Sequence, residues 1–165
     1  MRVEQIMSRN VRTCRPEQSL AEAARIMWEQ DCGCVPVTSA GKGGLRHVIG
    51  MLTDRDVCMA AYTRGLPLGE LKVSAAMSQN VISCRRQDQV GVALGILKTQ
   101  QLHRLPVIEG DNELIGLVSL ADLAREANRE HQKARPEVTD GEVGETIEGI
   151  SAPRGNRAGL APLGT

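Results

Sequence analysis

Two short stretches of this chain place a hydroxyl and a carboxylate three residues apart, each time shortly after a glycine: GMLTDRDV, Gly50 to Val57, and GLVSLADL, Gly116 to Leu123. The plainest use of Thr53 with Asp56, and of Ser119 with Asp122, is to start a helix. The hydroxyl accepts from a backbone N–H, and the acid complements the helix dipole. Capping leaves Gly50 and Gly116 unexplained. They fall inside predicted strands, where glycine weakens the strand unless something approaches the backbone closely. Glycine, then hydroxyl, then carboxylate at a helix N-terminus predicts a binding corner. The helix N-terminus and hydroxyl suit a phosphate, and the carboxylate suits the two vicinal hydroxyls of a ribose.

These corners recur because the chain repeats itself. IMSRNVRTCRP (Ile6–Pro16) aligns with AMSQNVISCRR (Ala76–Arg86), and Pro36 aligns with Pro106 at the same offset. Between there and the Gly50/Gly116 pair the first repeat carries four extra residues, which fit the loop SAGKGG, Ser39–Gly44. Loops absorb such insertions cheaply.

Each repeat reads β-α-β-β-α. In the first, Val11–Cys14 is a short extended piece, and Ser19 with Glu22 is a capping-box signature. Leu20, Ala23, Ala24, Met27 and Trp28 then recur at helical spacing. Strands are expected over Val35–Ser39 and Leu45–Thr53, then a helix from Asp54 to Arg64 with Gly65 as its stop. The second repeat gives Val81–Cys84, a helix over Gln89–Gln101, strands over Leu105–Glu109 and Leu114–Ser119, and a helix from Leu120 to Lys133. Units near 60 residues are marginal alone, so the two should bury their apolar faces together. The division expected is 1–70, 71–134 and a Gly/Pro-rich, aperiodic tail over 135–165 that reads as flexible.

Composition narrows the function classes. The chain has 20 basic and 20 acidic side chains, and it has one Trp, one Tyr and no Phe. Zero net charge argues against a broad nucleic-acid footprint, and the missing aromatics remove the usual base-stacking platforms. No apolar run approaches a membrane span, and MRVEQIMSRN lacks a secretion signal, so a soluble cytoplasmic protein is expected. The odd count of five cysteines, set inside apolar segments, reads as buried thiols in a reducing compartment. Cys32-Gly-Cys34 has no second pair at zinc-finger spacing, so no metal site is expected.

Taken together, the repeat order, the Met-Ser-x-Asn-Val opening of each repeat, the strand prolines and the two Gly-apolar-x-[Ser/Thr]-x-x-Asp corners resemble a tandem pair of CBS domains, a Bateman module. The resemblance covers Val3 to Ala127 and is greatest to small stand-alone bacterial CBS-pair proteins. It implies an α/β (α+β) fold of two repeats packed with pseudo-twofold symmetry, and a regulatory module for adenosine-containing ligands: AMP, ADP, ATP, NAD or S-adenosylmethionine.

By that resemblance Asp56 and Asp122 hold ribose, while Thr53 and Ser119 contact phosphate. The adenine lies among aliphatic groups of the early pieces, Val11 with Thr13 and Val81 with Ser83. Pro36 or Pro106 and Ile49 or Ile115 form its walls. His103 and Arg104 reach across the pseudo-twofold axis to the Thr53/Asp56 corner. The Ser119/Asp122 corner receives uncharged Gly33 and Cys34, with Arg55 as partial compensation. A homodimer forming a flat disc is implied, with most contact from Asp54–Arg64 and Leu120–Lys133. No obligatory cofactor and no catalytic signature are expected, and output passes through the dimer or an unidentified protein partner. The rival readings are a structural interaction protein with vestigial pockets and a thiol-based redox regulator.

Overall fold

A computed structural model describes residues 1–41 and 44–153. Helix α1 (Leu20–Glu29) leads to strands β1 (Cys34–Ala40) and β2 (Arg46–Thr53), then α2 (Asp54–Arg64). The second repeat supplies β3 (Cys84–Arg85), α3 (Val90–Gln100), β4 (Arg104–Glu109), β5 (Glu113–Ser119) and α4 (Leu120–Glu130), with α5 (Asp140–Ser151) beyond it. The fold is thus the mixed α/β pair of repeats expected. The strands order as β1-β2-β5-β4-β3, with the two halves meeting at the pair His47–Glu113. Both hairpins are antiparallel, and each has an irregularity one residue after the strand valine, at Val37/Thr38 and at Val107/Ile108. The early extended pieces are shorter than expected: Cys14 makes one isolated parallel bridge to Val37, and only Cys84–Arg85 forms a strand.

Each repeat keeps its own core, but the chain shares them out in an exchanged pattern. Val3 and Met7 lie in the core of the second repeat with Leu97, Leu105 and Leu123. Leu71 and Val73 lie in that of the first with Leu20, Leu52 and Val57. The exchange also satisfies helix ends, whose first N–H groups have no partner within the helix. Leu20 N donates to Leu71 O at 2.8 Å and Val90 N to Met1 O at 3.1 Å. A third cluster of Val48, Ile108 and Leu114, with Val11 and Val81 against it, joins the halves.

The same exchange accounts for the strand glycines. Ser8 and Leu117 trade two backbone hydrogen bonds of 2.9 Å, while Ser78 and Met51 trade bonds of 2.9 and 2.8 Å. Each Met-Ser segment therefore lies on the other repeat's strand. A Cβ on Gly116 would sit 2.7 Å from Met7 Sδ and 3.0 Å from Ser8 O, and one on Gly50 would sit 2.8 Å from Ser78 O. What approaches these glycines is the chain itself. Gly50→Ala is expected to lose about 1–3 kcal/mol of stability, the usual range for overpacking, because a backbone carbonyl has no flexible end to move aside. Urea unfolding checks this, with Gly91→Ala in α3, where nothing lies within 4 Å, as the comparison that loses no stability.

The flexible tail expected from residue 135 is corrected as far as α5. Thr139 caps this helix in a full capping box with Glu142. Val138, Val143, Thr146 and Ile150 are buried against α3 and α4. The Glu130 side chain has no accessible surface. It accepts from Val138 N at 3.1 Å, from Glu137 N and from Lys133 Nζ. Glu137 in turn pairs with the N-terminal ammonium. Valine and isoleucine at helical spacing were present in the sequence, but Pro136, Gly141, Gly144, Gly149 and Pro153 masked them. The expectation for residues 154–165 lies outside the described residues.

Candidate ligand-binding corners

The two hydroxyl–carboxylate pairs sit where β2 runs into α2 and where β5 runs into α4. Both are complete capping boxes. Asp56 N donates to Thr53 Oγ1 at 3.1 Å, while Asp56 Oδ2 accepts from Thr53 N at 2.9 Å and from its hydroxyl at 2.7 Å. The Ser119/Asp122 corner repeats this with distances of 3.2, 2.8 and 2.6 Å. The capping role is therefore filled at both corners, and one carboxylate oxygen at each remains outside it.

That remaining oxygen distinguishes the corners. Asp122 Oδ1 is held by Arg125, one turn along α4. The matching position on α2 is Met59, and no described residue donates to Asp56 Oδ1. Sequence reasoning passed over Arg125, although the i, i+3 spacing to Asp122 was its signal.

The residues before the strand prolines also differ as expected. Arg104 comes from the second repeat, yet its Nη1 lies 3.4 Å from the place a Cβ would take on Gly33 of the first, and Asp54 Oδ2 lies 3.0 Å from the same point. Arg104 thus crosses to the N-terminal turn of α2, where Asp54 N donates to Gly33 O at 3.1 Å. Burial raises the Cys34 thiol pKa above its usual value despite this neighbouring guanidinium. His103 is exposed, and its carbonyl accepts from Leu120 N at 2.9 Å. Arg55 is exposed on α2.

The candidate walls are spread more widely. Pro36 and Pro106 are buried within β1 and β4, opposite Met51 and Leu117. Ile49 and Ile115 are half-buried and pack against the first and second cores. Val11 and Val81 come together on the joining cluster, while Thr13 and Ser83 are half-buried. Val11 and Thr13 also line a cleft of about 560 Å³ with Arg9, Arg12, Arg25 and Arg46. Arg46 begins β2 and Thr53 ends it, so this cleft opens at the far end of the strand from the first corner. Arg46, which sequence reasoning did not single out, donates from Nη1 to Val11 O at 2.9 Å.

The expectation of buried thiols holds for Cys14, Cys34 and Cys84 and is corrected for Cys32, half-buried, and Cys58, exposed on α2. Cys14 and Cys84 are poorly suited to reaction. Burial pushes Cys14 up to about 11 and Cys84 up to about 12. A thiolate is the reactive form, so such cysteines stay protonated at neutral pH. Among the described residues no group of three His, Cys, Asp or Glu side chains is placed to hold a metal ion, and no helix is long and apolar enough to cross a membrane.

The CBS-domain profile matches residues 3–62 and again 72–129. The chain belongs to the CBS-domain family and carries the domain as a tandem pair. It is 34% identical over 122 residues to the CBS domain-containing protein YhcV of Bacillus subtilis, a match covering 74% of this chain and 82% of that protein. Hypoxic response protein 1 of Mycobacterium tuberculosis is 29% identical over 120 residues, covering 73% and 80%. Its crystal structure with two coordinated zinc ions superimposes at a TM-score of 0.64, with 28% identity over 76% of this chain and 98% of that one. The CBS domain pair of protein MJ0100, in complex with 5′-methylthioadenosine and S-adenosyl-L-methionine, superimposes at 0.66, with 21% identity over 76% of this chain and 94% of that one.

Proposed function

We propose that this protein is a regulatory module that binds an adenine nucleotide between its repeats, AMP, ADP or ATP foremost and NAD or S-adenosylmethionine as further candidates. It answers by a change of conformation or assembly. The observation that carries this reading is the shared construction of the first corner. Thr53 and Asp56 come from the first repeat, while Arg104 and the Met77–Ser78 segment come from the second. A ligand there touches both halves and can bias how they sit, which is what a sensor requires. Asp56 accepts from the ribose hydroxyls, and Thr53 with the N-terminal N–H groups of α2 meets phosphate. Arg104 supplies the cationic fork, and Val81 with Ser83 borders the base. The Ser119/Asp122 corner, with Val11 and Thr13, is the second and weaker site, because Arg125 already holds Asp122. The MJ0100 pair, with two adenosine compounds bound, supports this ligand class.

The module has no catalytic role of its own, requires no cofactor and works in the cytoplasm. It has neither nucleic acid nor membrane as partner, and its signal passes through a homodimer or a protein partner.

The test is Arg104→Ala in an Asp122→Ala background, titrated calorimetrically with AMP and with adenosine. A guanidinium grips phosphate in a bidentate fork, so AMP affinity is expected to fall about 10-fold or more while adenosine is spared. Equal losses for both ligands make Arg104 a support of the fold, and no loss for either places it in solvent.

A further inference from the structure

We propose that the arginine-lined cleft of the first repeat is a binding site for an oligophosphate, a chain of two or more phosphates. The inference goes beyond the nucleotide reading and does not need it. All the residues lining the cleft fall between Arg9 and Arg46. It therefore belongs to one repeat, whereas the two corners lie between repeats.

The internal duplication isolates what is particular to this cleft. Its frame is kept in the second repeat, where Asn10, Val11, Thr13 and Ile26 are matched by Asn80, Val81, Ser83 and Ile96. Its charge is not. Arg9, Arg12, Arg25 and Arg46 are matched by Gln79, Ile82, Gly95 and Asn112, all uncharged. The second repeat folds into the same helices and hairpin without them, so the cations are not a requirement of the fold.

Little in the protein answers this charge. Four guanidinium groups face one carboxylate, that of Glu29, in a chain whose net charge is zero. Glu29 stands 3.9 Å from Arg25 Nε with both side chains more than half exposed, and such a surface pair contributes little. Arg9 Nη2 donates to Glu4 O at 3.2 Å, and Arg46 Nη1 to Val11 O at 2.9 Å. These carbonyls position the two guanidinium groups and leave their charge in place. Arg12 meets no partner among the described residues. Cations gathered in one cleft repel each other and draw in an anion.

The lining selects the occupant. A guanidinium meets phosphate oxygens as a planar two-pronged fork. The forks arrive from the segment after Ser8, from α1 and from the start of β2. Around a cleft of about 560 Å³ they offer more donors than one phosphate has oxygens, so a chain of phosphates fits them. Only Val11 and Ile26 are apolar, which leaves a base or an acyl group little to bury against. Two sources carry this chemistry: a free oligophosphate, and the phosphate tail of a nucleotide at the second corner, with which the cleft shares Val11 and Thr13. Either reaches the joint between the repeats. Arg9 follows Ser8, which is bridged to Leu117 of β5, and Val11 packs on the joining cluster.

Calorimetric titration of the full chain with phosphate, pyrophosphate, tripolyphosphate and citrate tests the assignment. Affinity is expected to rise from phosphate to tripolyphosphate and to fall with added salt. Arg12→Gln is expected to weaken tripolyphosphate binding about 10-fold or more with urea unfolding unchanged, and Arg46→Gln to weaken it likewise. Arg64→Gln, the same loss of charge at the end of α2, is expected to change nothing. Absence of tripolyphosphate binding overturns the proposal. So does binding indifferent to Arg12→Gln and Arg46→Gln, binding weakened as much by Arg64→Gln, or citrate held as tightly as tripolyphosphate. ATP separates the sources. Tripolyphosphate bound at least as tightly as ATP names the free anion, and tighter binding of ATP that is lost in Asp122→Ala names the nucleotide tail; both uphold the cleft. AMP titration of the same samples keeps the two readings apart. AMP bound at the Thr53/Asp56 corner of a chain that ignores tripolyphosphate sinks only this proposal. Tripolyphosphate bound through Arg12 by a chain that takes no adenosine ligand sinks only the nucleotide assignment.

Discussion

Ending the chain at Ala134 is expected to destabilise it by about 3 kcal/mol. Val138, Val143 and Ile150 leave the core, and full burial of such side chains is worth about 1.5–3 kcal/mol each. The ordering of the segment that carries them offsets part of that gain. The loss corresponds to a fall of about 6–12 °C in Tm for a chain of this size. A chain ending at Pro153 keeps α5 and is the reference. Glu130 adds a pH signature. The hydrogen bond from Lys133, with Val138 N and the ammonium charges beside it, holds its carboxyl below the ordinary 4.5. A carboxyl lowered in the folded state stabilises above its unfolded pKa and loses that contribution as pH falls through the folded value. The reference chain should therefore lose this increment on acidification below about pH 4.5, and the chain ending at Ala134, stripped of Val138, should lose less of it. Urea unfolding at neutral and acid pH measures both. Equal stability of the two chains at neutral pH would show that α5 rests on the body without supporting it.

Asp56→Ala is expected to weaken AMP binding at the first corner by roughly 10- to 150-fold, since a hydrogen bond to a charged group is worth about 1.5–3 kcal/mol. It also dismantles a complete capping box, so about 1 kcal/mol of stability goes with it. The two losses are separable because they are read by different measurements, calorimetric titration and urea unfolding. Asp122→Ala removes the matching cap and an oxygen that Arg125 already occupies. Its expected signature is the same loss of stability with a smaller change in affinity. Lower stability with unchanged binding in Asp56→Ala would end the ribose assignment and leave the pair a cap alone.

Much of this molecule is readable residue by residue. Ser19 with Glu22, Thr53 with Asp56 and Ser119 with Asp122 announce helix starts by a hydroxyl and an acid at fixed spacing, and all three form the predicted boxes. The hairpins were legible as pairs of short apolar runs joined by a turn, since these are local properties of the chain. The duplicated Met-Ser-x-Asn-Val and the glycines were visible too, but their relation was not. A Cβ that would strike another segment leaves no mark on its own neighbours in the sequence.

The sequence by itself determined the repeat, the order of elements and the chemistry of the corners, because spacing along the chain dictates which side chains share a helix turn or a strand face. Only the tertiary structure decided which repeat each N-terminal piece serves, with Met7–Ser8 on β5 and Met77–Ser78 on β2. It alone showed that α5 covers α3 and α4 while Trp28 and Tyr62 stay bare. Those outcomes depend on contacts between segments far apart in the chain, and the free energy of such a contact belongs to the pair and to the space between them.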